Sequence, residues 1–185
     1  RRPAPPWGSP LDGVLAEYMV VREDGVVPVP GHLNLEQAAT LPCAGLTAWS
    51  ALFVQGDVKA GDTVLVQGTG GVALFALKFA KLAGARVVVI SSSDEKLERV
   101  RRMGADHGIN YKSTPKWGKA ARDWTGGVGV DHIVELGGAG TLPESLQAVG
   151  LGGQISLIGV LAGAMLDLNI LPIVMRNVNV QGIFV

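Results

Sequence analysis

The chain has 185 residues, of which 48% are hydrophobic and 17% are charged, and its 16 Lys and Arg residues balance 16 Asp and Glu residues. This balance gives the chain no bias towards binding a polyanion, so we expect no nucleic-acid partner, and the length suffices for a substantial core. The most apolar stretch, residues 155–174, is interrupted by polar residues and Pro172, so no membrane span is predicted. A single cysteine cannot form an internal disulfide and favours a reducing compartment, so we expect a cytoplasmic protein.

The first 55 residues differ in character from the rest of the chain. Residues 13–29 read as two extended strands around the turn signal at 23–25, and residues 34–41 read as a short helix that ends at Pro42. A two-stranded piece is only marginally stable by itself. We therefore interpret this region as the remnant of another domain, and we expect the chain to be a fragment cut at both ends.

From residue 56 to residue 185, short β-branched runs alternate with helical segments, which is typical of a parallel sheet covered on both faces. Ser93 is predicted to cap one helix, and Thr141 with Glu144 has capping-box spacing before another helix, which Gly150 is expected to end. Right-handed crossovers predict an α/β fold, a doubly wound Rossmann sheet of strand order 3-2-1-4-5-6. The six predicted strands are Thr63–Gln67, Arg86–Ile90, His107–Asn110, His132–Glu135, Gln154–Gly159 and Val178–Phe184.

A glycine-rich turn follows the first predicted strand and reads Gly68-Thr69-Gly70-Gly71-Val72-Ala73. Gly68 permits a sharp turn, Gly70 lets the backbone approach a pyrophosphate, and Ala73 allows close packing between helix and strand. The N–H groups at the start of the apolar helix would face the anion. The motif alone is weak, and an ordinary glycine turn is the alternative.

The end of the second strand bears on the choice between NAD and NADP. An NAD site usually has Asp or Glu there to bind the ribose diol, whereas this chain has Ser91-Ser92-Ser93. Asp94 and Glu95 come later and are explained by the helix dipole. Hydroxyls do not repel a 2′-phosphate, and Lys96 offers a positive charge, so NADP is favoured over NAD. A polar helix start and a solvated lysine are the alternatives.

Further motifs occur in order along nearly the whole chain. They are QAATLPCAGLTAW at 37–49, GDTVLVQGTGGV at 61–72, GADH at 104–107, INY at 109–111, GGVGVD at 126–131 and GG at 152–153. Together they resemble the medium-chain dehydrogenase/reductase superfamily, and most of all its zinc-type alcohol dehydrogenase-like and quinone oxidoreductase branches. The resemblance implies that residues 1–55 are a β-rich remnant of a GroES-like catalytic domain with connecting helices, and that residues 56–185 are the dinucleotide-binding domain.

The resemblance also implies roles for individual residues. Thr47 would lie beside the nicotinamide ring, and Lys96 and Tyr111 would hold the 2′-phosphate of NADP. Leu136-Gly137 and Ile158-Gly159 follow strands four and five, at the sheet edge where ligands bind such folds. The alternatives are that Thr47 is only a helix residue, that Tyr111 is a partly buried aromatic residue and that the glycines are ordinary turn residues.

Cys43 precedes Thr47 by four residues, the spacing of a catalytic zinc ligand in the zinc alcohol dehydrogenases that the chain resembles. A zinc site needs further ligands, and the chain has only His32, His107 and His132 to offer as histidines. We therefore expect no complete metal site in this chain. Two interpretations of Cys43 stay open: it is a zinc ligand in a longer parent protein, or it is a small buried thiol that packs beside the cofactor cleft.

The activity that the resemblance implies is hydride transfer between NADP(H) and a small alcohol, carbonyl or activated double bond. A zinc-free quinone or enoyl reductase, a non-catalytic nucleotide-binding module and a methyltransferase remain alternatives. A methyltransferase normally has an acidic residue at the end of strand two to bind the ribose, and this chain lacks one there. We expect the 185-residue chain alone to bind nucleotide weakly and to catalyse little. The apolar strand at residues 177–185 predicts a homodimer through pairing of sheet edges.

Overall fold

The computed structural model describes residues 11–185, and contacts divide the chain into two compact units, Arg1–Ala38 and Ala39–Val185. In the smaller unit, the turn signal forms a 3-10 turn at Glu23–Gly25, and α1 spans Leu35–Ala38. The amide oxygen of Asn34 accepts a hydrogen bond from the N–H of Gln37 at 2.8 Å and so caps α1.

Two expectations for the N-terminal region were wrong. No strand forms within residues 13–29, where every residue is exposed and no apolar surface is available to stabilise a two-stranded piece. Pro42 does not end the helical region, because it lies in the first turn of a new segment that begins at Leu41. A proline is tolerated there because the first helical N–H groups have no partner within the helix.

This segment belongs to the larger unit. Its π-helical turns, Leu41–Gly45 and Ser50–Val54, flank α2 at Leu46–Trp49. Trp49 packs against Phe53 and Phe79, with ring centroids 4.5 and 5.6 Å away, which joins the segment to the helix at Gly71–Leu82. Aromatic pairs at such distances add to the apolar burial.

A six-stranded sheet, parallel throughout, forms the centre of the larger unit, and its order is β3-β2-β1-β4-β5-β6. The predicted doubly wound α/β fold is therefore confirmed. The strands are β1 Thr63–Gln67, β2 Arg86–Ser91, β3 His107–Asn110, β4 Val130–Glu135, β5 Val149–Leu157 and β6 Asn179–Gly182. The remaining helices are α3 Gly71–Leu82, α4 Asp94–Arg102, α5 Trp117–Trp124, α6 Leu142–Ala148 and α7 Leu171–Met175.

Alternate residues of the central strands pack into two separate apolar layers, one on each face of the sheet. Val64 and Val66 of β1 pack in the layer that contains α3 and α4, whereas Leu65 packs in the layer that contains α5 and α6. All five residues of β1 are buried. Covering both faces of a sheet requires near-continuous apolar strands, which is the pattern visible in the sequence.

The helix signals were partly right. Ser93 caps α4, since its hydroxyl oxygen accepts a hydrogen bond from the N–H of Lys96 at 3.3 Å. The capping box at Thr141 and Glu144 was wrong, because the Thr141 hydroxyl donates to Glu135 and the Glu144 carboxylate accepts from the N–H of Gly118 at 2.8 Å. Nor does Gly150 end α6, since β5 already begins at Val149.

Candidate functional site

A cleft of about 740 Å³ opens at the carboxyl ends of β1, β2 and β4. In a sheet of this order, β1 and β4 lead away in opposite directions, which leaves a crevice at the switch point where ligands bind. The structure brings together many of the residues singled out from the sequence. Those that line the cleft are Gly68, Thr69, Gly70, Ser91, Ser92, Lys96, Tyr111, Leu136 and Gly137.

The other predicted site residues do not line this cleft. Gly71 and Val72 lie in the first turn of α3, directly behind the turn. Ile158 and Gly159 follow β5, and the N–H of Ile158 donates to the carbonyl of Glu135 at 2.9 Å. Cys43 and Thr47 lie in the helical segment 41–54.

The glycine turn has the shape that an anion site needs. Gly68 has φ +78°, a conformation that a residue with a side chain adopts only with strain. At Gly70 a Cβ would meet no protein atom within 4 Å, so the missing side chain leaves space at the cleft surface. The first intrahelical hydrogen bond of α3 runs from the N–H of Leu74 to the carbonyl of Gly70 at 2.9 Å. The preceding N–H groups are therefore available for an anion.

The rim at the end of β2 carries hydroxyls and a cation. Ser91 is buried, and its carbonyl accepts the N–H of Tyr111 at 3.0 Å, which holds the phenol ring beside the end of β2. Lys96 is exposed in the first turn of α4. The nearby carboxylate of Asp94 is held by the side-chain amide of Asn110 at 2.8 Å and does not line the cleft.

The floor of the cleft contains a polar cluster that the sequence analysis did not identify. Glu135, the last residue of β4, is fully buried, and Gln67, the last residue of β1, is 5% exposed. The Gln67 amide nitrogen donates to the Glu135 carboxylate at 2.6 Å. Polar residues at the ends of otherwise apolar buried strands were the signal that could have revealed this cluster. Trp117 and Glu144, which also line the cleft, were missed as well.

Comparison with known proteins assigns the chain to a family. Residues 71–185, more than half of the chain, match the family described as zinc-binding dehydrogenase. The chain belongs to the zinc-binding dehydrogenase family. This result agrees with the superfamily that the sequence motifs resemble.

Individual members of the family and their structures are similar over the whole fold. A zinc-type alcohol dehydrogenase-like protein of Schizosaccharomyces pombe is 47% identical over 184 residues, which is 96% of this chain and 53% of that protein. The structure of an NAD-dependent alcohol dehydrogenase superposes with a TM-score of 0.86 at 36% identity, covering 93% of this chain and 50% of the other. The structure of the quinone oxidoreductase of Thermus thermophilus, solved also with NADPH, superposes with a TM-score of 0.80 at 31% identity. The match covers 95% of this chain and 55% of the other.

The chain spans about half the length of the relatives that it matches. No helix within residues 11–185 combines the length and apolar character that crossing a membrane requires.

The zinc that gives the dehydrogenase family its name does not fit the residues described in this chain. Within residues 11–185, no group of three or more His, Cys, Asp or Glu side chains is arranged to hold a metal ion. Cys43 is exposed, and the alternative of a buried thiol was therefore wrong. The Thr47 hydroxyl donates to the carbonyl of Cys43 at 2.6 Å, which fixes the rotamer of a side chain that is 4% exposed.

Proposed function

We propose that this chain carries the nucleotide-binding part of an NADP(H)-dependent oxidoreductase. The observation that carries the proposal is the pairing of two features in one cleft: the glycine turn before α3 and a β2 end without a carboxylate. Membership in the dehydrogenase family supports a nicotinamide nucleotide as the ligand. The choice of NADP over NAD is our own inference, and solved relatives include both an NADPH complex and an NAD-dependent enzyme.

Each wall of the cleft suits one part of the dinucleotide. The N–H groups that open α3 would bind the pyrophosphate, with Thr69, Gly70, Gly71 and Val72 following the turn. Lys96 and Tyr111, with the hydroxyls of Ser91, Ser92 and Ser93 nearby, would surround the 2′-phosphate. The Ser93 oxygen already accepts the N–H of Lys96, so its part is to place that lysine in the first turn of α4.

The remaining wall would receive the nicotinamide end. In sheets of this order, β4 and the strands after it belong to the second mononucleotide half. Leu136, Gly137, Ile158 and Gly159 follow β4 and β5 there, and we assign Thr47 to the same end of the ligand. When bound, the nicotinamide supplies or accepts the hydride, and the protein orients the ring and excludes water.

We propose that the partner of this hydride transfer is a small alcohol, carbonyl or activated double bond. A zinc-free quinone or enoyl reductase is the second candidate, favoured by the quinone oxidoreductase neighbour. The roles that we assign to the residues of the cleft concern the nucleotide and not the substrate, so we expect the 185-residue chain by itself to turn over little substrate.

We also propose a homodimer through the segment 177–185. β6 lies at one edge of the sheet, and Phe184 is 80% exposed in the residues that follow it. An unpaired strand edge with apolar side chains favours pairing with a second copy. Sedimentation at increasing concentration tests this: a dimer is expected, and a monomer at the highest concentration would contradict it. Cytoplasmic location stays part of the proposal, on the basis of the single cysteine.

Calorimetric titration with NADPH, NADH and S-adenosylmethionine tests the proposed ligand. NADPH should bind at least about tenfold tighter than NADH, since a charge-assisted contact to the 2′-phosphate is worth about 1.5–3 kcal/mol. Binding of the methyl donor without dinucleotide binding would instead establish the methyltransferase alternative. Hydride transfer by the longer protein, with a metal chelator in a parallel reaction, separates the zinc and zinc-free enzymes, and no transfer at all would indicate a non-catalytic module.

A further inference from the structure

Glu135 has an unusual position for an acidic residue. It is the last residue of β4, is fully buried, and lies beneath the cleft without lining it. An ionised carboxylate in such a place is costly unless hydrogen-bond donors satisfy it. The structure therefore has to supply those donors, and the segments that supply them show what the residue organises.

The two carboxylate oxygens divide the donors between them. Oε1 accepts the N–H groups of Gly137 and Gly138 at 3.0 and 3.1 Å and the hydroxyl of Thr141. Oε2 accepts the amide nitrogen of Gln67 at 2.6 Å and the hydroxyl of Ser145. None of these partners carries a formal charge, so the anion is held by dipoles from β1, α6 and the loop after β4.

This loop is built on the Glu135 carboxylate. Gly138 has φ +76°, and a Cβ there would come within 2.6 Å of the carbonyl of Gly163, so close packing and hydrogen bonds together define the loop. The carbonyl of Gly137 accepts the N–H of Ala162 at 2.7 Å, and the N–H of Ala139 donates to Gly163 at 2.8 Å. The loops at 136–141 and 158–163 thus form one unit, which we call the nicotinamide wall.

Gln67 connects the same carboxylate to the other side of the cleft. Its amide oxygen accepts the N–H groups of Leu136 and Gly137 at 3.0 and 3.1 Å, while its nitrogen donates to Glu135. Gln67 directly precedes Gly68, the first residue of the glycine turn. A single hydrogen-bonded pair therefore fixes the distance between the turn after β1 and the nicotinamide wall.

We propose that Glu135 is a positioning residue, whose buried charge sets the geometry of the nicotinamide wall relative to the glycine turn. The inference rests on the proposed nucleotide function and extends it to a residue that does not touch the ligand. It makes binding of the nicotinamide half depend on Glu135, while binding of the adenosine half depends on the ends of β1 and β2.

Glu135→Gln tests the need for two acceptor oxygens. The amide oxygen can replace Oε1, but the new NH₂ group then faces the NH₂ group of Gln67, and two donors repel. Gln67 cannot rotate its amide without losing the N–H groups of Leu136 and Gly137. In the double variant Gln67→Glu/Glu135→Gln every group regains a complementary partner, because residue 67 then offers acceptors to all its neighbours.

The measurement is calorimetric binding of NADPH and of adenosine 2′,5′-bisphosphate, which lacks the nicotinamide half. Glu135→Gln should weaken NADPH binding about tenfold, as the loss of a charged hydrogen bond predicts, and leave bisphosphate binding unchanged. The double variant should restore the ratio of the two affinities. Ile133→Val, a change in the same buried strand without polar groups, is the matched control and should alter neither affinity.

A second readout does not need the cofactor. Amide hydrogen exchange at Gly137 and Gly138 should become faster in Glu135→Gln and slow again in the double variant. If the single variant does not fold, Ser145→Ala removes one donor outside the cleft and should shift the affinity ratio in the same direction. Equal loss of both ligands, unchanged exchange or failure of the double variant to restore the ratio would overturn the positioning role. Failure of the wild-type chain to bind any dinucleotide would instead overturn the proposed function.

Discussion

Arg122 and Arg176 donate to the same carbonyl oxygen, that of Val149. Arg122 also donates to the carbonyl of Gln147 at 2.8 Å, and Arg176 to that of Leu146 at 2.5 Å. These carbonyls end α6, where cations are favourable because of the helix dipole. Burial, together with the positive charge of Arg122, lowers the pKa of Arg176 from its ordinary value. The pair joins α5 and the residue after α7 to the start of β5.

Replacing Arg176 should therefore destabilise the fold. Arg176→Met leaves the part-buried carbonyl of Leu146 without its charged donor and leaves that of Val149 with Arg122 alone. We therefore expect the free energy of unfolding to fall by about 1–3 kcal/mol. The matched control is Arg102→Met, since that side chain is exposed and only 3.6 Å from Glu98 in a surface ion pair. Urea unfolding of both variants is the measurement, and equal midpoints would contradict the prediction.

Two residues of the glycine turn should respond differently to substitution by alanine. Gly68→Ala puts a Cβ on a residue with φ +78° and should cost about 1–2 kcal/mol of stability. In Gly70→Ala the new methyl group contacts no protein atom, so wild-type stability should be kept. The methyl group would, however, occupy the space that we assign to the pyrophosphate. Thermal unfolding and NADPH titration separate the two effects. Unimpaired nucleotide binding by Gly70→Ala would argue against the pyrophosphate assignment.

Nucleotide preference should change at the end of β2. Ser92→Asp introduces a carboxylate that can bind a ribose diol and repels a 2′-phosphate, so NADH should become the better ligand. Lys96→Ala should weaken NADPH binding about tenfold and leave NADH binding unchanged. Glu95→Gln, also in the first turn of α4, is the control for a general change of charge. Parallel loss of both nucleotides in Lys96→Ala would remove the basis for the NADP assignment.

Acid should destabilise the fold partly through His107. Its ring stacks on Trp124 with centroids 5.3 Å apart, and burial followed by the charge of Arg101 lowers its pKa from the ordinary value of 6.5. Protons therefore bind the unfolded chain more readily. The stabilisation is complete above pH 6.5 and declines as the pH falls through that value towards the lower pKa of the folded chain.

This pH dependence is measured by urea unfolding between pH 8 and pH 5. His107→Gln should have a flatter profile than the wild-type chain over the same range. His32→Gln is a matched control, because that histidine has no stacked aromatic partner among the ring pairs of residues 11–185. A wild-type slope in His107→Gln would show that another group causes the dependence.

The sheet could be predicted from sequence because its signals are local. Runs such as Val87-Val88-Val89 and the glycine turn at Gly68 determine strands and turns through neighbouring residues alone. The capping box at Thr141 failed for the opposite reason, since a carboxylate from β4 competes for the hydroxyl. The role of Glu135 was invisible because its donors come from separate segments of the chain, which only the folded structure brings together.

The serines at the end of β2 are separate from Glu135, which has a practical consequence for redesign. Ser91 ends β2 and Ser92 follows it, whereas Glu135 ends β4. The carbonyl of Ser91 accepts the N–H of Tyr111, whereas the carboxylate of Glu135 accepts from Gln67 and Gly137. Under the proposed function, we therefore expect substitutions at the end of β2 to change the nucleotide preference while the nicotinamide wall keeps its geometry. Libraries that vary residues 92, 95 and 96 should yield many folded variants, whereas libraries that include residue 67 or 135 should yield few.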